Sequence, residues 1–325
     1  MAMIEVRDLK KEFIVTKKES GLLGALKNVV RSEKTVVKAV NGVSFTIGEG
    51  EIVGYIGPNG AGKSTTVKMM SGILQPTSGS VTIGGLSPHT HRKQVVKRLG
   101  VVFGQRSQLY WDLRLGESFE LLKRIYDVSD ELYRQNLKKL DDILGIGELA
   151  DTPVRQLSLG QRMRGDLAAA VLHSPPVIFL DEPTIGLDVD VKYAVRKFIR
   201  EINENYRTTI ILTTHDLDDI EQLCNRVIII NKGLIIEDGP LGALMDRLAP
   251  TRTILVDFLE PPAEDLHIKN AAVVRQEQAR VWIEFEKSRT CAGDIISQLS
   301  APIRDISFDE AGIEDVIRKI YADAK

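Results

Sequence analysis

The chain has 325 residues, 43% of them apolar, enough for one large or two modest domains with full cores. Lys and Arg number 43 against 45 Asp and Glu, a formal net charge of -2, which argues against a general nucleic-acid or anionic-lipid binder. Cys224 and Cys291 are the only cysteines and make no disulfide framework, which fits a reducing compartment, and no run of 18 or more apolar residues exists to span a bilayer.

Residues 1–18 mix acidic and basic side chains without a long apolar stretch, unlike a secretory signal. Residues 4–9 alternate as a strand does, and 36–47 read as one or two more strands. Between them Leu22, Leu23, Leu26, Val29 and Val30 fall at helical spacing, with Lys27, Arg31 and Lys34 on the other side. This predicts a short basic amphipathic helix within 17–35, either packed on its own domain or touching a membrane partner or lipid headgroups.

Residues 51–56 read as a buried strand and 65–73 as the start of a helix. Between them lie Gly57, Pro58, Asn59, Gly60, Ala61, Gly62, Lys63, Ser64 and Thr65. Strand, glycine turn and helix is the context a phosphate-binding loop requires. Backbone N–H groups at a helix N-terminus lack intrahelical partners and carry the positive end of the helix dipole, so they suit phosphate oxygens. The glycines let the backbone approach those oxygens closely. Lys63 supplies a mobile cation near the β- and γ-phosphates, and Ser64 offers a hydroxyl to Mg²⁺.

Further on, 81–83 predicts a strand, 89–99 a helix and 101–103 a short strand. Residues 117–126 and 130–144 have helical periodicity, and a helix begins near Ser158 and runs to 172. The continuous apolar run 177–180 is the pattern of a central parallel strand. Helix 190–205, strand 208–213, helix 216–224 and a strand pair 226–231 and 234–238 follow. The fold class is therefore α/β: a largely parallel core, a first strand-rich layer, and a helical insertion at about 105–170. After Gly239-Pro240 the texture changes. A helix at 241–248, strands at 253–259, 271–275, 280–285 and 303–308, and helices at 291–299 and 313–321 predict a small α+β domain. The expected division is 1–239 and 240–325.

Asp181 and Glu182 follow the apolar run, at the strand edge where open α/β sheets bind ligands. One carboxylate can hold Mg²⁺ and the next can polarise an attacking water; Asp181 is assigned to the metal and Glu182 to the general base. Ser158 with Gln161 three residues on is a capping box, and a capped helix start is also an anion site. Local sequence does not choose between these two.

The phosphate loop, Gln105, Leu157-Ser158-Leu159-Gly160-Gln161, the Val177–Pro183 stretch, Gly186-Leu187-Asp188 and Thr214-His215-Asp216 occur in the order seen in ATP-binding-cassette (ABC) ATPases. The resemblance covers about residues 4–239 and implies a P-loop ABC core with an antiparallel β subdomain and a helical subdomain. It implies ATP and Mg²⁺ as cofactors, and a head-to-tail homodimer with two ATP molecules between the copies. Each site would combine Lys63 and Ser64 of one copy with Ser158, Gly160 and Gln161 of the other. Gln105 matches the glutamine that reaches Mg²⁺ and water, His215 the histidine that contacts the γ-phosphate, Asp188 the aspartate that couples the two sites. Phe13 matches the aromatic that stacks on adenine.

The resemblance further implies a Mg-dependent ATPase that powers a membrane transporter from the cytoplasmic face of the membrane, through separate permease subunits that dock near Gln105, Tyr110 and Trp111. No nucleic acid is expected as partner. The basic insertion and the C-terminal domain resemble bacterial ATPases of exporters. The rival is a soluble ABC ATPase acting on ribosomes or DNA. Three features depart from the pattern: Leu159 where glycine is commonest, the insertion after Phe13, and the tail beyond 240.

Overall fold

The computed structural model describes residues 2–16, 34–104, 106–262, 266–310 and 312–323. The chain divides into two compact units, residues 1–238 and 239–325. In the first, the elements are β1 (Ala2–Thr16), β2 (Lys34–Gly48), β3 (Ile52–Ile56), α1 (Lys63–Met70), β4 (Ser78–Ile83), α2 (Arg92–Val96) and β5 (Leu99–Phe103). Then come α3 (Leu115–Tyr126), α4 (Asp130–Leu144), α5 (Leu159–Val171), β6 (Val177–Asp181), α6 (Val189–Tyr206), β7 (Thr209–Thr213), α7 (Leu217–Leu223), β8 (Arg226–Asn231) and β9 (Leu234–Pro240).

Six strands form one sheet in the order β5-β6-β7-β3-β8-β9. The pairs β5–β6, β6–β7, β7–β3 and β3–β8 are all parallel. Every residue of β6 and β7 is buried, which is why they read as unbroken apolar or Thr-rich runs rather than alternating ones. Phe179 is 0% exposed, so its replacement by Ala should cost about 3–5 kcal/mol. The turn Lys232-Gly233 between β8 and β9 has both residues at positive φ, 49° and 78°, matching the twist of a two-residue hairpin turn.

A second, antiparallel sheet has the order β2-β1-β4. Helix α1 lies within the core shared by the two sheets. Its Val67, Met69 and Met70 join Ile4, Phe45, Ile47 and Ile83 of the antiparallel sheet and Tyr55, Phe179 and Ile228 of the parallel one. Strand β1 is far longer than the expected 4–9. Its register against β2 and β4 shifts between Arg7 and Lys10, around Asp8 at φ 44°, so a bulge breaks the period-two signal while pairing continues. The predicted helix 89–99 shortens to α2, because Leu99 already pairs with Val177 as the first residue of β5. The predicted basic helix within 17–35 lies outside the described residues except for Lys34 and Thr35. Those two belong to β2, opposite Thr16 and Val15.

The second unit contains α8 (Leu241–Leu248), β10 (Thr251–Phe258), β11 (Ala271–Glu277), β12 (Arg280–Glu286), α9 (Ala292–Ile296), β13 (Ile303–Asp309) and α10 (Ile313–Asp323). Its four strands are antiparallel, in the order β11-β12-β10-β13. The alternate residues Ile254, Val256, Phe258, Val281, Ile283 and Phe285 build a core with Ile295 of α9. Helix α9 is shorter than the expected 291–299.

Candidate functional site

Three adjacent parallel strands deliver the site. In the sheet order β6-β7-β3, the ends carrying Asp181, Thr213 and the loop after Ile56 lie side by side. The loop's shape depends on missing side chains. A Cβ on Gly57 would stand 2.3 Å from the backbone oxygen of Ile230. Gly62, at φ 111°, starts α1, and a Cβ there would stand 2.5 Å from the backbone oxygen of Ala39. Backbone can approach at these points only because glycine has no Cβ.

Lys63 is buried, and its Nζ donates to the carbonyls of Gly57 (2.6 Å) and Pro58 (3.2 Å). Burial lowers its pKa, while the carboxylates of Glu182 and Asp181 push it back up. Ser64 Oγ donates to Asp181 Oδ1 at 3.2 Å, and Thr213 Oγ1 donates to the same oxygen at 2.5 Å. A hydroxyl and a carboxylate brought together beside a phosphate loop are the hard-oxygen donors Mg²⁺ accepts, with phosphate and water supplying its other ligands. These residues therefore fit Mg²⁺.

Glu182 stands at φ 57°, in the left-handed region, and its N–H donates to the Thr213 carbonyl at 2.8 Å. Its Oε1 lies 3.6 Å from Nδ1 of His215. Both side chains border a cleft of about 220 Å³ shared with Gly186 and Lys192. Gly104 packs against this corner, where an added Cβ would be 2.2 Å from the Glu182 carbonyl oxygen. Gln105, the next residue, lies outside the described residues.

A buried acid holds the two loops around the cleft. Asp219, 0% exposed, accepts from Thr184 Oγ1, Thr214 Oγ1 and Arg196 Nε. Thr184 belongs to the loop after Glu182 and Thr214 precedes His215, so one carboxylate fixes both. Asp219 and Thr213 were not among the residues expected from sequence. Thr213 has a usable signal, as the polar last residue of an apolar strand; Asp219 has none short of the fold.

The other expected residues form a second cluster. Ser158 caps α5: its Oγ accepts from Gln161 N (3.2 Å) and its own N–H donates to Gln161 Oε1 (2.9 Å), closing the predicted capping box. Asp188 caps α6 in the same way, accepting from Val191 N at 2.9 Å. The two caps abut. A Cβ on Gly160 would be 2.9 Å from Val191, and one on Gly186 would be 3.2 Å from Cδ2 of Leu159. Leu159 thus covers Gly186 instead of disturbing the capped turn. Among the described residues, no hydrogen bond or ion pair joins this cluster to Lys63, Ser64 or Asp181. Phe13, on β1 opposite Val37, is 39% exposed, with Lys11 Nζ 5.3 Å from its ring centre. Tyr110 and Trp111 are exposed.

A parallel sheet whose strand ends present a glycine-rich loop and lysine on one side and an acid pair on the other defines a phosphate-loop nucleotide-binding protein. Comparison with known proteins narrows this. The ABC transporter family profile matches residues 40–185. The ABC transporter ATP-binding protein NatA of Bacillus subtilis is 33% identical over 216 residues, covering 66% of this chain and 87% of its own. The chain belongs to the family of ABC transporter ATP-binding subunits.

The family includes both transport directions. A Nod factor export ATP-binding protein I of Burkholderia lata is 35% identical over 207 residues (64% of this chain, 67% of its own). The methionine import ATP-binding protein MetN 2 of Enterococcus faecalis is 31% identical over 281 residues (85% and 75%). Among solved structures, a dimeric ATP-binding cassette in a post-hydrolysis state, bound to ADP and Pi, superposes with a TM-score of 0.62. It shares 25% identity, over 74% of this chain and 99% of its own. The fold is that of ABC ATPases. No helix among the described residues is long and apolar enough to cross a membrane.

Proposed function

We propose that this chain is the Mg-dependent, ATP-hydrolysing subunit of a membrane exporter, acting as a homodimer on separate permease subunits at the cytoplasmic face of the membrane. The observation that carries the reading is the convergence of Lys63, Ser64, Asp181, Glu182 and His215 at the ends of three neighbouring strands. The loop N–H groups and Lys63 bind the phosphates of ATP, and Ser64 and Asp181 would hold Mg²⁺, which would neutralise charge on the phosphates. Glu182 accepts the proton of the water that attacks the γ-phosphorus, as the bond to the β–γ bridging oxygen breaks. His215, 3.6 Å from Glu182, orients the γ-phosphate and that water together. Gln105 would add a ligand to Mg²⁺ and hydrogen-bond to the water, and Phe13 receives the adenine.

Ser158, Gly160 and Gln161 act on the nucleotide held by a second copy, with Asp188 linking the two sites. The separation of the capped cluster from Lys63 within one chain supports this division. The hydroxyl of Ser158 accepts one bond from Gln161 N and keeps a proton to donate. The exposed Tyr110 and Trp111 face the permease. Export is favoured by the Nod factor export relative together with the basic insertion. Residues 240–325 form an accessory domain that strengthens dimerisation or senses a ligand.

The test is Glu182→Gln. Nucleotide affinity should stay within about twofold, while single-turnover hydrolysis falls by roughly 10²–10⁴, the range for losing a general base. Full hydrolysis in that variant refutes the assignment. For the transport half, the tagged chain is recovered from detergent-solubilised native membranes and its partners are identified by mass spectrometry. Polytopic membrane proteins in stoichiometric amount support the reading; ribosomes or nucleic acid alone would replace it with a soluble ATPase.

A further inference from the structure

Asp166, two turns into α5 from Ser158, is 5% exposed. Its Oδ1 accepts from Ser107 Oγ (2.8 Å) and Gln108 N (3.0 Å). The Gln108 side chain returns a bond from Nε2 to the Asp166 carbonyl (2.9 Å), and Ser107 Oγ accepts from Leu109 N (3.1 Å). Four bonds thus fasten residues 107–109 to the middle of one helix or to each other. Gly165, adjacent on that helix, has no room for a side chain: a Cβ would be 2.9 Å from Leu115 and 3.0 Å from Leu109. Just beyond the fastened segment stand the exposed Tyr110 and Trp111. Trp111 is tied to the same region, with the Arg162 guanidinium 5.9 Å from its ring centre and its carbonyl accepting from Arg155 N.

A buried carboxylate is a costly way to fill this position. Burial pushes the Asp166 carboxyl up to about 6, against the hydrogen bonds from Ser107 and Gln108 and the charge of Arg162 that favour the anion. An apolar side chain at 166 would avoid that desolvation. Removing the carboxylate alone leaves the Ser107 hydroxyl and the Gln108 N–H without their acceptor.

We propose that Asp166 is a positioning residue that clamps residues 107–109 to α5, so that load applied at Tyr110 and Trp111 displaces the Ser158–Gln161 helix end. Its functional half rests on the ATPase reading above; its structural half does not. The clamp requires an acceptor at 166 and a donor at 107, and no charge transfer or proton movement.

Hydrogen exchange and steady-state ATP turnover are measured on the full chain and on Asp166→Ala, Asp166→Asn, Ser107→Ala and the Ser107→Ala/Asp166→Ala double variant. In Asp166→Ala, the amides of Gln108 and Leu109 should exchange roughly 10- to 100-fold faster, the opening expected for losing hydrogen bonds to a charged acceptor. Amides of Leu167 to Val171 should keep their protection. The turnover number should fall about tenfold with KM within twofold. Asp166→Asn, which retains an acceptor oxygen, should recover most of that rate, and the double variant should be no worse than Asp166→Ala.

Unchanged exchange at 108 and 109 overturns the clamp. So does an Asp166→Asn variant as impaired as Asp166→Ala with protection lost along all of α5, which is the behaviour of a merely structural acid. If Asp166→Ala is insoluble, Ser107→Ala carries the same exchange prediction. A wild-type chain without ATPase activity would remove the functional reading, and the exchange pattern would still decide the clamp.

Discussion

Gly57→Ala adds one methyl group at the end of β3, and its effect follows from where that methyl points. It would stand 2.3 Å from the Ile230 carbonyl oxygen, 2.9 Å from Ile230 Cγ2 and 3.1 Å from Ala61 Cβ. The closest contact is about 1 Å too short for non-bonded atoms. Ile230 cannot retreat, because it is 0% exposed in β8, which pairs with β3 through Ile56 and Ile229. The loop must lift instead, carrying Ala61 and Lys63. Overpacking of this kind costs about 1–3 kcal/mol of stability. A shift of about 1 Å in groups that position a reacting phosphate costs roughly 10² in rate.

The assays are a fluorescent-nucleotide titration, phosphate release and a thermal melt. Gly57→Ala should still melt cooperatively, bind nucleotide more weakly and hydrolyse ATP about 10²-fold more slowly. Gly60→Ala separates sterics from backbone strain. Gly60 has φ 79° but nothing within 4 Å of its would-be Cβ, so that variant should lose about 1–2 kcal/mol of stability with a smaller effect on binding. A Gly57→Ala protein with wild-type affinity and rate would refute the reasoning.

Lys63→Ala removes the ammonium and should weaken nucleotide binding by about 10- to 100-fold, read in the same titration. Two groups, buried Asp166 and half-buried His173, set opposed acid responses. Asp166, raised to about 6, contributes stability below pH 4 that is lost as pH rises through 6; His173, lowered by burial to about 4, contributes stability above pH 6.5 that is lost as pH falls through 4. Each amounts to roughly 3 kcal/mol and they offset one another, so Asp166→Asn should lose stability more steeply than the native chain between pH 6.5 and 4 in urea titrations, and His173→Asn less steeply. A fragment of residues 1–239 should melt cooperatively and bind nucleotide, since residues 1–238 form a compact unit with a core cluster of their own; calorimetry and gel filtration would expose aggregation. Trp111→Ala should reduce recovery of membrane partners while nucleotide affinity stays within about twofold.

The parts of this fold that sequence makes legible are those with a local cause. The loop at 57–62 is written in glycines, of which Gly57 and Gly62 have neighbours that leave no space for a side chain, and β6 in an apolar run buried on both faces. Both caps, Ser158 and Asp188, act within three residues of themselves. What escaped depends on tertiary partners. The length of β1 is hidden by its bulge at Asp8. The helix expected at 89–99 yields at its end to pairing between Leu99 and Val177. Asp166 and Asp219 are acids within helical patterns that nothing local singles out, and their partners lie 23 to 59 residues away in sequence for Ser107, Gln108, Thr184 and Arg196. The composite site proposed for a dimer rests on the family resemblance as well, because the bonds of Ser158 and Asp188 stay within their own caps and, among the described residues, none reaches the phosphate loop.

The left-handed backbone at Glu182 sets stability against the general-base role proposed for it. A non-glycine residue at φ 57° carries about 1–2 kcal/mol of steric penalty, held in place by the bond from its N–H to Thr213. Gly or Asn would relieve that penalty without disturbing the bond. A library selected for heat resistance alone should therefore drift at 182 toward residues that cannot take a proton from water, and, on the proposed role, the hardiest variants recovered would be those that bind nucleotide and keep it.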